Sequence, residues 1–228
     1  MRVQLLTHTP DPEQVVAAAA RLCYSASSID QLLAKSRNDR EVLLRKILEL
    51  GHLSVLEHAT FSFGAEGISR ACSHQLVRHR IASYSQQSQR YVAHQERFEA
   101  VTPETITARP ELAERYHRLL DEIHTVYTEL LAADIPAEDA RFVLPNAAAT
   151  KIVISMNGRE LLHFFSLRCC RRAQWEIRAL AIEMLRAVRP VAPLLFGQAG
   201  PGCLRGACPE GTMTCGEIGA VRQEFSKL

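Results

Sequence analysis

The chain has 228 residues, 47% of them hydrophobic, so it is long enough to bury a core. Its 27 Lys and Arg residues nearly balance 25 Asp and Glu residues, and the formal net charge of +2 argues against a broad face for duplex nucleic acid. No basic start precedes an apolar leader, and no stretch is apolar long enough to span a bilayer. We therefore expect a single cytoplasmic domain over residues 1–228, without membrane or nucleic-acid partners.

The chain begins with a predicted strand and helix. Residues 3–6 are typical of a short strand. Asp11 is predicted to cap a helix that runs to about residue 24, with Pro12 at its first position and Gln14 completing a capping box.

Two further helices and a strand are predicted before the first polar loop. Apolar spacing indicates a helix over residues 38–50, ended by a glycine. Residues 59–63 alternate as a strand, and Gly64 and Gly67 are expected to turn the chain into a short amphipathic helix over residues 68–77.

The second half of the chain is dominated by helices. A long amphipathic helix is predicted over about residues 111–132, a buried strand at 152–154, and helices over 158–167 and from 175 to 188. Strands and helices interleave without the regular rhythm of a doubly wound sheet. The fold class predicted is therefore α+β, with a mixed sheet and long packed helices, and not a Rossmann fold.

The Gly-rich tail over about residues 197–228 contains Cys203, Cys208 and Cys215, three of seven cysteines. The other four lie in apolar helical patterns and are expected to be reduced. Because the tail has neither a Cys-x-x-Cys pair nor a nearby His, a loosely ordered tail is favoured over a zinc site. We expect no metal site.

A polar segment over residues 78–92 carries most of the chemistry. Its Arg, His, Ser, Gln and Tyr side chains can supply guanidinium groups for phosphate and polar groups for a nucleobase. For Arg78, His79 and Arg80 alone, an equally good interpretation is that they complement the negative end of a helix dipole.

The spacing of this segment separates the two interpretations. The pattern Arg-His-Arg-x-x-Ser-x-x-x-x-Ser-x-Arg, at Arg78, His79, Arg80, Ser83, Ser88 and Arg90, resembles the signature of the flavin-dependent thymidylate synthases. The similarity covers roughly residues 50–190 and includes, in the family's order, segments at 51–58, 140–145, 156–159, 167–168 and 173–177.

The resemblance implies an enzyme that methylates dUMP to dTMP. The family takes the carbon from methylenetetrahydrofolate and the hydride from FAD that NADPH has reduced. Its members are homotetramers whose active sites are built from several subunits. No Gly-x-Gly-x-x-Gly follows a strand, so FAD is expected to bind without the usual dinucleotide motif.

The resemblance also implies roles for individual residues. Arg168 would lie beside the uracil ring as the catalytic residue, where a fixed cation favours ionisation at N3. Because an arginine stays protonated, its role is electrostatic. The residues that would contact the flavin are His52, Ser54, Arg78, His79, Arg80, Gln86, Asn157, Gly158, Arg159 and His163. Those that would hold dUMP are Gln75, Arg78, Gln86, Gln87, Ser88, Gln89, Arg90, Arg141 and Arg168.

Two positions depart from the family's pattern. Gln86 stands where members often carry Glu, so no argument that needs a carboxylate there applies. His163 stands where Asn is common, which alters the hydrogen bond expected with the flavin.

Two other classes of protein remain as alternatives. A single-strand nucleic-acid binder would use the same arginines for phosphate and Tyr84 or Tyr91 for stacking, and its affinity would fall steeply with salt. A metal-dependent hydrolase would use His52, His58, His74 and His79, but their spacing fits no His-Glu-x-x-His arrangement.

Overall fold

The computed structural model describes residues 1–93 and 96–228. The strands are β1 (Arg2–His8), β2 (Thr60–Ser69), β3 (Ala82–Gln86) and β4 (Ala149–Asn157). The α-helices are α1 (Pro12–Leu22), α2 (Ile29–Leu33), α3 (Arg37–Leu50), α4 (Arg70–Leu76), α5 (Glu104–Thr107), α6 (Pro110–Ala132), α7 (Ala137–Ala140), α8 (Gly158–Arg168), α9 (Trp175–Val188), α10 (Pro193–Phe196) and α11 (Ile218–Ser226). Short 3-10 helices lie at Leu53–His58, Arg141–Val143, Gly202–Leu204 and Gly211–Met213.

The four strands form one antiparallel sheet in the order β1, β2, β4, β3. Together with the helices it confirms the α+β fold class, although the sheet is antiparallel and not mixed as predicted. Within the described residues, no helix is both long and apolar enough to cross a membrane.

The chain divides into two compact units. The first contains residues 1–2, 65–78 and 84–153, and the second contains residues 3–64, 79–83 and 154–228. In the first unit, Phe98, Leu120 and Ala148 form a buried cluster against which Tyr116 and Ile123 pack. In the second, α8 and α9 each bury apolar residues at helical spacing and contribute these faces to the core.

Several predicted elements are confirmed. α3 ends at Gly51, whose φ of 71° is left-handed, as expected for a glycine that terminates a helix. α6 and α9 occupy the predicted ranges, and α8 ends at Arg168, one residue after the predicted end.

The predicted turn at Gly64 and Gly67 is wrong. β2 continues through both glycines to Ser69, and α4 begins only at Arg70. β2 is a central strand with a neighbour on each side, so two hydrogen-bonded ladders outweigh the cost of glycine in a strand. The polar segment after α4 is also partly a strand, since β3 pairs at the sheet edge.

The predicted capping box of α1 is wrong as well. Asp11 adopts a left-handed conformation with a φ of 43° and makes no side-chain cap hydrogen bond. Instead, the amide of Gln14 donates to the carbonyl of Leu33, 2.8 Å away. Long-range packing therefore uses the side chain that a local pattern had assigned to the helix end.

The tail is ordered, contrary to the prediction. α11 buries Val221 and Phe225, and Cys203 is buried. Glu224 pairs with Arg178 on α9 at 2.5 Å, which anchors α11 to the helical core of the second unit. No group of three or more His, Cys, Asp or Glu side chains among the described residues could hold a metal ion.

Candidate functional site

A buried chain of polar side chains runs from Glu160 through His79 to Arg168. The Nδ1 of His79 lies 3.1 Å from a carboxylate oxygen of Glu160, and the Nε of Arg168 donates to the Nε2 of His79 at 3.0 Å. His79 and Glu160 are each only 5% exposed, whereas Arg168 is half-buried. Burial lowers the pKa of His79, with the positive charge of Arg168 acting in the same direction and Glu160 opposing both. At neutral pH His79 is therefore an uncharged link between a carboxylate and a guanidinium.

The start of α8 places this chain. Asn157 is the N-cap residue, and its side-chain oxygen accepts from the backbone N–H of Glu160 at 2.9 Å. Gly158 occupies the first helical position, and its backbone N–H donates to the carbonyl of Ala59 at 2.8 Å. A Cβ added to Gly158 would lie 3.0 Å from the carbonyl oxygen of Leu56. A glycine here lets α8 approach the 3-10 helix at Leu53–His58 closely.

Two clefts open on the second unit beside this helix start. The first, of about 680 Å³, is lined by His52, Ser54 and Arg159 together with Lys46 and apolar side chains of α3. The second, of about 570 Å³, is lined by Asn157, Arg159 and His163, with Ile81 and Leu162 among its apolar walls. Arg159 lines both clefts and pairs with Glu57 at 2.6 Å. Five residues expected to contact a flavin are thus brought together here.

The basic triplet has two different environments. Arg78 and Arg80 are exposed, whereas His79 is buried, and its ring lies 5.9 Å from that of His163 and 4.9 Å from that of Phe164. A decoration of the helix end does not account for His79, because its ring contacts α8.

The expected dUMP residues other than Arg168 lie in the first unit. The amide nitrogen of Gln86 donates to the hydroxyls of Ser73 at 3.0 Å and Thr150 at 3.2 Å. The backbone N–H of Gln87 continues the pairing of β3 with β4 by donating to the carbonyl of Lys151 at 2.9 Å. The hydroxyl of Ser88 accepts from the backbone N–H of Arg90 at 3.1 Å, which makes a compact turn. Gln75 and Gln89 are half-buried.

Arginines gather around the short helix α7 in the same unit. Arg90 forms an ion pair with Glu138, and the Nε of Arg141 donates to the carbonyl of Glu138 at 3.0 Å. Burial, and then the charge of Arg141, lower the pKa of Arg70. Arg70 is thus within electrostatic range of the cation cluster formed by Arg90 and Arg141, although sequence reasoning did not single it out.

Sequence reasoning also missed Glu160, Glu57 and Glu138. Each is an ordinary acidic residue by local pattern, and Glu160 in particular looks like a common first-turn helix residue. Only its burial beside a histidine sets it apart, and burial is not written in the local sequence.

Comparison with known proteins agrees with the motif. A family described as Thymidylate synthase complementing protein matches residues 4–194. The chain is 58% identical over 230 residues to a flavin-dependent thymidylate synthase of Geobacter sulfurreducens, covering 100% of this chain and 99% of that protein. It is 45% identical to the enzyme of that name from Clostridium tetani, over 99% and 97% of the two chains, and 44% identical to that from Pyrococcus furiosus, over 100% and 98%. The chain therefore belongs to the flavin-dependent thymidylate synthase family.

Proposed function

We propose that the protein methylates dUMP to dTMP, with methylenetetrahydrofolate as the carbon donor and NADPH as the reductant acting through FAD. The observation that carries this proposal is the full-length similarity to relatives named flavin-dependent thymidylate synthase, with the Arg78 to Arg90 pattern intact. When bound, FAD supplies the hydride that completes the methyl group.

The two clefts of the second unit fit a flavin nucleotide by their chemistry. Arg159 provides a guanidinium for a phosphate group, while Asn157 and His163 offer polar groups at the rim of an apolar wall. His52 and Ser54 extend the polar set into the neighbouring cleft. We assign these residues, with Arg78, Arg80 and Gly158, to flavin binding.

The cation cluster around α7 fits a nucleotide phosphate. Arg90 and Arg141 would bind the phosphate of dUMP, with Gln75, Gln87, Ser88 and Gln89 orienting polar edges. Arg90 pairs with Glu138, and this pair is exposed enough to exchange partners. Gln86 would contact the ligand through its carbonyl oxygen, since its nitrogen already donates to Ser73 and Thr150.

Arg168 would favour the N3-deprotonated form of the uracil ring. A deprotonated N3 makes C5 more nucleophilic, and C5 is the carbon that receives the methylene group. A cation held at fixed distance stabilises that anion without accepting a proton.

We also propose the homotetramer implied by the family. Leu112 and Leu119 on α6 are 52% and 55% exposed, and Phe142 is 82% exposed. Such side chains are typical of a surface that a partner subunit covers. Light scattering of the purified protein tests this proposal, and a monomer at micromolar concentration would contradict it.

The activity is tested on purified protein loaded with FAD. We expect flavin absorbance, NADPH oxidation that depends on dUMP, and formation of dTMP when methylenetetrahydrofolate is added. Arg168→Ala is expected to abolish dTMP formation while retaining flavin, and Arg172→Ala, an exposed arginine four residues later, is the matched control. A protein that cannot be loaded with FAD, or that forms no dTMP, would refute the proposal.

A further inference from the structure

We propose that His79 and Glu160 are positioning residues that hold the guanidinium of Arg168 in one orientation for the uracil ring, an inference that rests on the proposed function. His79, the central residue of the basic triplet, would thus act on dUMP indirectly, by holding Arg168. The flavin would then be contacted by its two exposed neighbours, Arg78 and Arg80.

The hydrogen-bonding pattern fixes the state of His79. An ionised carboxylate only accepts hydrogen bonds, and a guanidinium only donates them. The nitrogen facing Glu160 must therefore carry the proton, and the nitrogen facing Arg168 must offer its lone pair. Only the neutral imidazole protonated at Nδ1 satisfies both neighbours, and its burial favours that uncharged form.

The same pattern keeps the positive charge of Arg168 available. A carboxylate placed directly on Arg168 would neutralise the cation that the uracil anion needs. Here an uncharged ring stands between Glu160 and Arg168, so the guanidinium is held by a hydrogen bond and not by an opposite charge. Among the residues that the structure describes, no other acceptor contacts this guanidinium, which leaves its terminal nitrogens to face a ligand.

The ring of His79 has little freedom to rotate. Phe164 packs against it edge-on at 4.9 Å, and the backbone N–H of Glu160 is fixed by the Asn157 cap. Rotation of the ring would break hydrogen bonds at both nitrogens inside the core. The orientation is therefore transmitted from the start of α8 to its last residue through the histidine side chain.

The decisive experiment compares two substitutions at His79 in the FAD-loaded protein. The amide of His79→Gln reaches the position of Nε2 and can still accept from Arg168, whereas the shorter amide of His79→Asn reaches only the Nδ1 side. The readout is the apparent pKa of N3 in bound 5-fluoro-dUMP, followed by ultraviolet difference absorbance or fluorine NMR. Glu176→Gln, at a second buried glutamate in the first turn of α9, controls for loss of a buried carboxylate.

We expect His79→Asn to bind about tenfold less of the N3 anion at a given pH, which is a rise of roughly one unit in the apparent pKa of N3. Its kcat should fall about 100-fold, as for other losses of alignment, with a smaller change in KM. His79→Gln should lie between His79→Asn and the wild type in both measurements, because it keeps the acceptor for Arg168 but loses the donor to Glu160. Glu176→Gln should stay close to the wild type. Equal behaviour of the Asn and Gln variants, or an N3 pKa that His79→Asn leaves unchanged, would overturn the inference.

A second measurement needs no variant. Nitrogen NMR of the wild-type protein labelled in histidine should show His79 neutral and protonated at Nδ1 at pH 7, and an imidazolium or an Nε2 proton would also overturn the inference. The N3 measurement requires only that the nucleotide binds, and the NMR measurement requires only folded protein. If the wild type binds 5-fluoro-dUMP but forms no dTMP, the proposed function fails while these measurements still decide the role of His79.

Discussion

Replacing Asn157 with alanine is expected to lower the free energy of unfolding by about 1 kcal/mol. The side-chain oxygen of Asn157 accepts from the backbone N–H of Glu160 at 2.9 Å, and alanine leaves that N–H without its cap. For a chain of this length, 1 kcal/mol corresponds to a fall of roughly 2–4 °C in Tm. Thermal unfolding of FAD-free protein measures this term alone.

Asn157→Ser separates the cap from the proposed flavin contact. Serine is as good an N-cap as asparagine, so the Tm of this variant should stay within about 1 °C of the wild type. If Asn157 also contacts the flavin through its amide, titration with FAD should show weaker binding in both variants. An unchanged Tm for Asn157→Ala would refute the cap as a source of stability, and wild-type FAD affinity in Asn157→Ser would refute the flavin contact.

Three further predictions concern acid stability, the tail and the cation cluster. Burial lowers the pKa of His79, so the unfolded chain binds a proton at higher pH than the folded protein does. The free energy of unfolding should therefore fall as the pH drops below about 6.5. Denaturant titrations at several pH values should show that this free energy falls less steeply with pH in His79→Gln, and an identical dependence would contradict the prediction. Phe225→Ala should lower the free energy of unfolding by about 3–5 kcal/mol and make the tail sensitive to protease, since Phe225 is only 4% exposed. A loss below about 1 kcal/mol would instead support the loosely ordered tail that the sequence predicted. Glu138→Gln should change the free energy of unfolding by less than about 1 kcal/mol but tighten dUMP binding by calorimetry. Weaker binding would contradict this and would mean that the Glu138 carboxylate holds Arg90 in place.

The long helices could be predicted because their signal is local. α6 and α9 repeat apolar residues at helical spacing over several turns, and a proline stands at the start of α6 and shortly after the end of α9. Gly51 likewise ends α3 because its conformation is determined by the residue itself. The basic motif was readable for a different reason, since its spacing resembles that of a known family.

The elements that were predicted wrongly depend on distant partners. Gly64 and Gly67 look like a turn, yet β2 passes through them because strands on both sides supply hydrogen bonds. β3 lacks an apolar alternation and is a strand only because β4 offers an edge. The tail is rich in Gly, but α11 is held by an ion pair with α9 and by the burial of Phe225.

The fold class, the long helices and the family could be predicted from the amino-acid sequence, since periodicity and motif spacing are properties of neighbouring residues. The packing of the folded chain determines that His79 is buried while Arg78 and Arg80 are exposed. It also determines that Glu160, 81 residues along the chain, is the acceptor for His79, and that His79 in turn accepts from Arg168. These pairings depend on which faces of α8 and the basic segment meet in the core, and no local pattern specifies that meeting.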